Sequence, residues 1–333
     1  MAAEGIESVG GGTERSPLWL VDWSDSEHED FVWACESAEI GARVLRGAAL
    51  GTTVGKRSHR LRSWPTYISL ARRGLREAGG APLIAWQPIA GALAGLLRRR
   101  SKSPLVVLNP LIDPATPSLR RRILLAGVGR ADRVVFFGTQ AMEDGVSLGL
   151  LRQRLRFVPL GVRIAESWSP PTGDYFLAVG REERDWQTLA KAAEGLDLEV
   201  RVIGPAALDE PGSLVLVPQI DRRRMLEMME GARAIVVPLT ATARSAGQLT
   251  VLDGISVGRP VVTMRSPGVE DYLNSSTAIL VSPGDSTALR EALVRLSNPA
   301  FAEQMGRSAL SAARRAFTLE RFVIDVDGEA RSL

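Results

Sequence analysis

The sequence predicts an α/β protein with two parallel sheets, each alternating short strands with helices. Apolar runs of four or five residues recur along the chain between stretches of helical spacing, which implies parallel strands joined by right-handed crossovers. The alternation runs twice, on either side of a linker containing Ser167, Ser169, Pro170, Pro171 and Gly173, where Pro-Pro stiffens the chain. A length of 333 residues, with 45% hydrophobic and 24% charged side chains, suits two globular domains of ordinary size.

Residues 1–16 include Gly10-Gly11-Gly12 and lack apolar periodicity, so they are expected to be a disordered, mobile tail. A first domain is expected over 17–165. Leu18-Trp-Leu-Val-Asp22 reads as its first buried strand, bounded by acidic loop residues. A helix is expected from Glu29 and a strand near Ala42–Leu45; the region 30–62 is the least legible of the chain. Trp64 to Ala78 has helical spacing, with Tyr67, Leu70, Ala71 and Leu75 on one side. Pro82 to Trp86 is a short strand, Ile89 to Arg100 a helix, and Leu105 to Leu108 another strand. Leu119 to Val128 is helical, and Val134 to Phe137 is the next strand. A second domain over 166–315 repeats the pattern, with strands at 175–179, 199–203, 214–217, 234–237, 260–263 and 278–281. The last helix, from about Pro299, breaks near Phe317-Thr318 and leaves a C-terminal segment at 316–333.

Charge is divided unevenly. Residues 17–165 carry 22 Lys+Arg against 12 Asp+Glu, a net of +10, whereas 166–333 carry 18 against 23, a net of −5. The excess lies on helical stretches: Arg72, Arg73 and Arg76; Arg98 to Arg100 with Lys102; Arg120 to Arg122. Such runs ordinarily make a solvated helix face; their functional reading is attraction to an anionic membrane surface or a pyrophosphate-bearing acceptor. Nucleic acid is not expected as a partner, because aromatics, at 5%, are not interleaved with the basic runs. A single cysteine, Cys35, excludes an internal disulfide and points to a reducing compartment. Two histidines, His28 and His59, leave almost nothing for a zinc site, and no transmembrane run or secretory signal stands out.

The most informative stretch is Ser245-Ala-Gly-Gln-Leu-Thr-Val-Leu-Asp253, continuing through Gly258-Arg-Pro-Val-Val262. A small-residue loop opens a helix with Leu249, Leu252 and Ile255 spaced three apart; Gly258 stops it, and Pro260 starts a strand. Such a loop at a helix N-terminus is an anion site, because free N–H groups and the helix dipole both favour negative charge. Asp253, further along the helix, can accept hydrogen bonds from sugar hydroxyls.

This segment resembles the diphosphate- and ribose-binding helix of retaining nucleotide-sugar glycosyltransferases with two Rossmann-like domains, the GT-B enzymes of family 4 type (glycosyl transferases group 1). Those enzymes usually carry a Glu, seven residues, a second Glu, then Gly-Lys/Arg-Pro-Val-Val. Here Ser245 and Asp253 hold the two positions. The likeness extends through Tyr175 to Leu189, Asp221 to Pro238, Ser282 to Leu289, and the stretches Ala131 to Phe137 and Leu155 to Val162, covering roughly residues 130 to 320.

The resemblance implies two Rossmann-like parallel-sheet domains facing across a cleft. The first binds the acceptor and the second the nucleotide sugar, and the last segment crosses back to the first. It implies that Gly180 and Arg181 form a phosphate-binding turn, with Arg184 in place of the family's lysine. Gly247, Gln248 and Leu249 would give amides to the diphosphate, Ser245 a hydroxyl to the donor, Asp253 would hold the ribose, and Gln219 would lie at the base. Many relatives place a histidine where this chain has Asn109, which can donate to a sugar hydroxyl but cannot shuttle a proton. Asp22 and His28 are the candidates for acceptor contact.

The implied activity is metal-independent, retaining transfer of a hexose from a UDP- or GDP-linked donor to a glycan, lipid-linked or small-molecule acceptor, with no further cofactor. The implied setting is cytoplasmic, with peripheral contact to the inner membrane face through the basic domain. Two alternatives stay open. A sugar-nucleotide 2-epimerase would need acid/base carboxylates and a histidine that are not found together. A non-catalytic glycosyltransferase-like protein, binding a nucleotide sugar or a partner without turnover, is motivated by Ser245 and Asn109.

Overall fold

The computed structural model describes residues 6–22, 24–47, 64–99, 101–112, 119–181, 183–204, 207–208, 211–241 and 246–333. Ser245 and Arg100 lie outside the described residues, as does 48–63, which takes in the second part of the 30–62 region. Two compact units divide the chain. One runs through Val158 and is rejoined by Leu319–Leu333; the other is Pro159–Thr318.

The first unit holds a seven-stranded sheet: β1 (Ile6–Val9), β2 (Leu18–Val21), β3 (Ala42–Arg46), β4 (Leu83–Ala85), β5 (Leu105–Leu108), β6 (Arg133–Phe136) and β7 (Leu155–Phe157). The order is β1-β3-β2-β4-β5-β6-β7. Every pair is parallel except β1, which lies antiparallel on β3 in the register Ile6↔Leu45 to Val9↔Ala42. Strands β2, β4 and β5 are buried at every position, as parallel strands covered on both faces should be. Helices α1 (Asp25–Ser37), α2 (Trp64–Glu77), α3 (Pro88–Leu97), α4 (Leu119–Val128) and α5 (Thr139–Ser147) connect them.

Two expectations are corrected here. The stretch 6–16 is not a disordered tail, because β1 closes the edge of the sheet; its strand sets the adjacent exposed Glu7 and Ser8 between only two apolar residues, a pattern without alternation. The first helix starts at Asp25 rather than Glu29. Ser24 Oγ accepts from the Glu27 amide at 3.4 Å and Glu27 Oε2 accepts from the Ser24 amide at 2.8 Å, a reciprocal cap that pulls the helix start forward.

The second unit holds β8 (Tyr175–Val179), β9 (Glu199–Ile203), β10 (Leu214–Val217), β11 (Ala234–Val237), β12 (Val261–Met264) and β13 (Ala278–Val281), all parallel. The order β10-β9-β8-β11-β12-β13 starts at a central strand, moves two strands outward, then returns to build the other half. Its helices are α6 (Trp186–Ala193), α7 (Arg222–Gly231), α8 (Gln248–Ser256), α9 (Ser286–Ser297) and α10 (Pro299–Ala316).

The stretch before Pro170-Pro171 is packed rather than linking. Leu160 N donates to the Tyr272 hydroxyl at 3.0 Å, Val162 N to Phe317 O at 3.0 Å, and Trp168 Nε1 to Gly258 O at 3.2 Å. The second unit therefore begins near Pro159, ahead of the expected boundary at 165/166. The chain does break at Phe317-Thr318, and α11 (Leu319–Arg331) belongs to the first unit. There Phe322 meets Trp86 and Phe137 with ring centroids 5.9 and 5.5 Å away, and Glu329 pairs with Arg133 at 2.8 Å. Among the described residues no helix is long and apolar enough to cross a membrane.

Each parallel sheet has one place where successive crossovers leave in opposite directions, and ligands of such sheets bind outside the strand C-termini there. In the first unit it is the end of β2, between β3 and β4; in the second it is the end of β8, between β9 and β11.

Candidate functional site

At the end of β8 the chain turns at Gly180, whose φ is +142°. A side chain here would be strained, and its first carbon would run into the guanidinium of Arg184. That guanidinium is folded back over the turn: Nε donates to Val179 O at 3.1 Å and Nη2 to Thr250 Oγ1 at 3.2 Å. Burial lowers its pKa to about 10, with nearby Glu183 opposing the shift, so it is a cation at neutral pH.

The turn is fastened to the end of β11. Asp185 N donates to Pro238 O at 2.7 Å, Thr240 N to Glu183 O at 3.1 Å, and Thr240 Oγ1 to Glu183 Oε2 at 3.0 Å. Asp185 then caps α6 through the Thr188 amide at 3.0 Å. Glu183 has φ +55°, an unusual value for a residue with a side chain, held by these bonds. Arg181, between the two arms of the turn, is exposed.

Thr250 ties this turn to the first turn of α8. The helix is entered through its N-cap residue Gly247 at φ +83°, a glycine that brings no capping side chain. A Cβ at Gly247 would stand 3.1 Å from Leu239 Cδ2, so glycine is favoured there by space as well as by φ. Gln248 is buried, Leu249 is 45% exposed, and the rest of α8 after Thr250 is buried. The expected apolar stripe Leu249, Leu252, Ile255 is thus half right: the last two are core, and Leu249 faces outward at the open end. Cation and helix N-terminus stand side by side. Each repels the other through the dipole and both attract an anion, so the pair is an electrostatic cost that an anionic ligand relieves.

Asp253 lies one turn beyond Leu249 and is 2% exposed. Arg222, the first residue of α7, grips it with Nη1 2.9 Å from Oδ2 and Nη2 2.8 Å from Oδ1. Gln219 is exposed in the loop between β10 and α7. The sequence reading missed Thr250, Thr240 and Arg222. The two threonines carry no pattern of their own, and Arg222 was hidden in the run Arg222-Arg223-Arg224, which looks like a solvated helix face.

Residues 169–298 match the profile of the family Glycosyl transferases group 1. The match covers 130 of the 333 residues. Among curated proteins, no sequence matches the chain. Among solved structures, sucrose-phosphate synthase from Thermosynechococcus elongatus is 18% identical with a TM-score of 0.75, over 96% of this chain and 99% of that one. HepE of Anabaena, solved with UDP and glucose, is 13% identical at a TM-score of 0.71, over 96% and 100%. The UDP-forming α,α-trehalose-phosphate synthase from Burkholderia vietnamiensis is 11% identical at 0.68, over 95% and 97%. At such identities the likeness is one of fold. It is the GT-B fold, two Rossmann-like parallel-sheet units. The Gly180 turn and the start of α8 lie inside the matched segment.

The switch point of the first unit holds a different chemistry. Asp22, just past β2, accepts a short hydrogen bond from Gln87 Nε2 and another from Tyr67. Burial raises its carboxyl pKa, with Glu27 adding to the effect and the hydrogen bonds opposing it. Burial and the Asp22 charge likewise raise Tyr67. Trp86, half-buried, stands beside Gln87 at the end of β4. Asn109, just past β5, has φ +38° and donates its amide to Val135 O at 2.6 Å. His28 is placed elsewhere: it is 8% exposed, with Nε2 2.9 Å from Glu7 Oε2 on β1. It packs helix against edge strand, which withdraws it from the acceptor contact expected of it. Among the described residues no group of three His, Cys, Asp or Glu side chains stands together as a metal site.

Proposed function

We propose that this protein is a retaining, metal-independent glycosyltransferase that moves a hexose from a UDP- or GDP-linked donor to an acceptor bound by the first unit. The observation that carries this reading is Arg184, a half-buried cation hydrogen-bonded to Thr250 in the first turn of α8, whose N-cap residue is Gly247. A nucleoside diphosphate is the leaving group of such a reaction. Its two negative phosphates suit a guanidinium beside the first amides of a helix.

In this reading Arg184 and the amides of Gln248 and Leu249 hold the diphosphate, and the exposed Arg181 reaches its outer oxygens. Ser245, just before α8, would face the donor sugar, and Gln219 the base. Charge developing on the departing phosphate oxygen is stabilised where it forms. That oxygen then takes the proton of the incoming hydroxyl on the same face of the sugar, which keeps the anomeric configuration and requires no histidine at Asn109.

Asp22, Gln87 and Trp86 suit a polyhydroxylated acceptor, offering a carboxylate and an amide to hydroxyls and a ring to a sugar face. The exposed Arg72 and Arg76 on α2, with Arg73, support peripheral contact with an anionic, cytoplasmic membrane face. The decisive experiment is incubation with labelled UDP- and GDP-sugars, with and without candidate glycan acceptors. Slow donor hydrolysis alone, and a product of unchanged anomeric configuration with acceptor, are expected. Nucleotide binding with no turnover on any donor would leave a non-catalytic binding protein instead.

A further inference from the structure

The second half of α10 borders a hollow lined by Trp168, Arg307, Leu310, Ser311, Arg314 and Arg315, all within the second unit. Arg307, Ser311, Arg314 and Arg315 stand at i, i+4, i+7 and i+8, so they share one stripe of the helix. These four are exposed; Leu310, 3% exposed, and the half-buried Trp168 supply the apolar surface. Trp168 is held by its bond to Gly258 O, and Arg307 lies over its ring with Cζ 3.8 Å from the centroid.

Glu303 is the single acid of α10, against three arginines, and it takes Nε and Nη2 of Arg307 at 3.0 and 2.7 Å. Arg314 donates through Nη2, to Ala165 O at 2.9 Å and to Glu166 O. A guanidinium has five N–H donors, so both arginines have donors left over. Ser311 Oγ accepts from Arg315 Nη1 at 2.6 Å, and among the described residues no acceptor takes the Ser311 proton. Ser308, by contrast, gives its proton to Gln304 O at 3.1 Å. A hydroxyl donor among three guanidiniums matches the several acceptor oxygens and double charge of a phosphate group. The hollow is also remote from the Gly180 turn. Gly258, which anchors Trp168, follows the C-terminal end of α8, and that helix of 9 residues is roughly 13 Å long.

We propose that this hollow binds the phosphate group of a phosphate monoester, as a second anion site apart from the start of α8. It stands whether or not the start of α8 takes a diphosphate. The monoester is either a soluble metabolite or the headgroup of an anionic phospholipid, and two probes separate these sources.

The soluble probe is glycerol 3-phosphate, titrated by calorimetry into Arg184→Met at constant ionic strength, so that the cation of the Gly180 turn takes no part. The lipid probe is a vesicle containing phosphatidic acid, compared with one of phosphatidylcholine alone, sedimented with Arg72→Glu/Arg76→Glu so that α2 takes no part. Each is repeated with Ser311→Glu added, which sets a carboxylate in the stripe at i+4 from Arg307 and i−4 from Arg315. Affinity for the probe that binds should fall about tenfold or more, while the exposed, helix-compatible glutamate keeps the melting temperature. Ser311→Ala, which removes only the hydroxyl, should weaken the same probe severalfold. Sensitivity of glycerol 3-phosphate binding to Ser311→Glu assigns a soluble ester; sensitivity of the phosphatidic acid vesicles alone assigns a headgroup. If neither probe binds, or if Ser311→Glu leaves the affinity for both unchanged, the proposal is overturned.

Discussion

Arg184 donates to the hydroxyl of Thr250 at 3.2 Å, so the turn after β8 and the first turn of α8 share one cation. The two segments are 66 residues apart in sequence. A half-buried guanidinium at the positive end of a helix costs stability, which makes the site a place where binding and folding pull in opposite directions.

That opposition is measurable. The pKa of Arg184 is lowered by burial from the ordinary arginine value to about 10, so between the two the unfolded chain holds the proton that the folded one releases. Folding stability from this group therefore rises with pH across that window, and its full cost is present at neutral pH. Arg184→Met is expected to keep or raise the melting temperature while weakening nucleoside diphosphate binding about a hundredfold, roughly 3 kcal/mol. In the parent, diphosphate affinity should fall as pH rises through about 10. A variant that melts many degrees lower yet binds as the parent does would reverse this assignment.

Gly180→Ala tests the turn itself. The residue would be held at φ +142° with its side chain on the Arg184 guanidinium. Destabilisation on the order of 1–3 kcal/mol is expected, with a matching loss of nucleotide affinity as Arg184 is pushed aside. Urea denaturation and calorimetry on the same preparation read both effects; unchanged affinity would mean that Arg184 is not a ligand.

Asp22→Asn tests the first unit. Burial raises this carboxyl above its ordinary value, so stability from it falls as pH rises from the ordinary carboxylate range through the raised pKa. The amide should therefore leave the melting temperature at neutral pH equal or higher. Under the acceptor reading it should raise KM for acceptor severalfold and leave UDP or GDP affinity untouched. Lost nucleotide binding together with unchanged acceptor kinetics would remove Asp22 from the acceptor site.

The basic helix makes an electrostatic prediction. Binding to vesicles containing anionic lipid should be measurable at low salt, fall steeply toward about 0.5 M salt, and weaken in Arg72→Glu/Arg76→Glu. Equal, negligible binding to anionic and neutral vesicles at low salt would make that face merely solvated.

Edge strand β1 makes a structural one. Deleting residues 1–10 removes the four-residue ladder on β3 and the Glu7 partner of His28, so a loss of stability is expected. A disordered tail would melt no differently when removed. Thermal melts of the two chains decide it.

Period and composition alone determined the two parallel sheets, all six strands of the second one, and the start of α8, because these are local and repetitive signals. The run from Ala234 to Val237 is buried on both faces, and burial of that kind forces an unbroken apolar run. Gly180 and Gly247 were named only through the family resemblance, and their positive φ values came from the structure. What tertiary structure alone decided are the pairings between charges and partners distant in the chain. Arg184 finds Thr250, Arg222 covers Asp253, and Gln87 reaches Asp22 across 66, 31 and 65 residues. A polar side chain declares its type in the sequence but not its partner, because hydrogen bonds depend on ångström-scale positions that only packing sets. The same holds for Glu7 and His28. An edge strand too short to show a pattern became visible only when it closed the sheet and took the histidine with it.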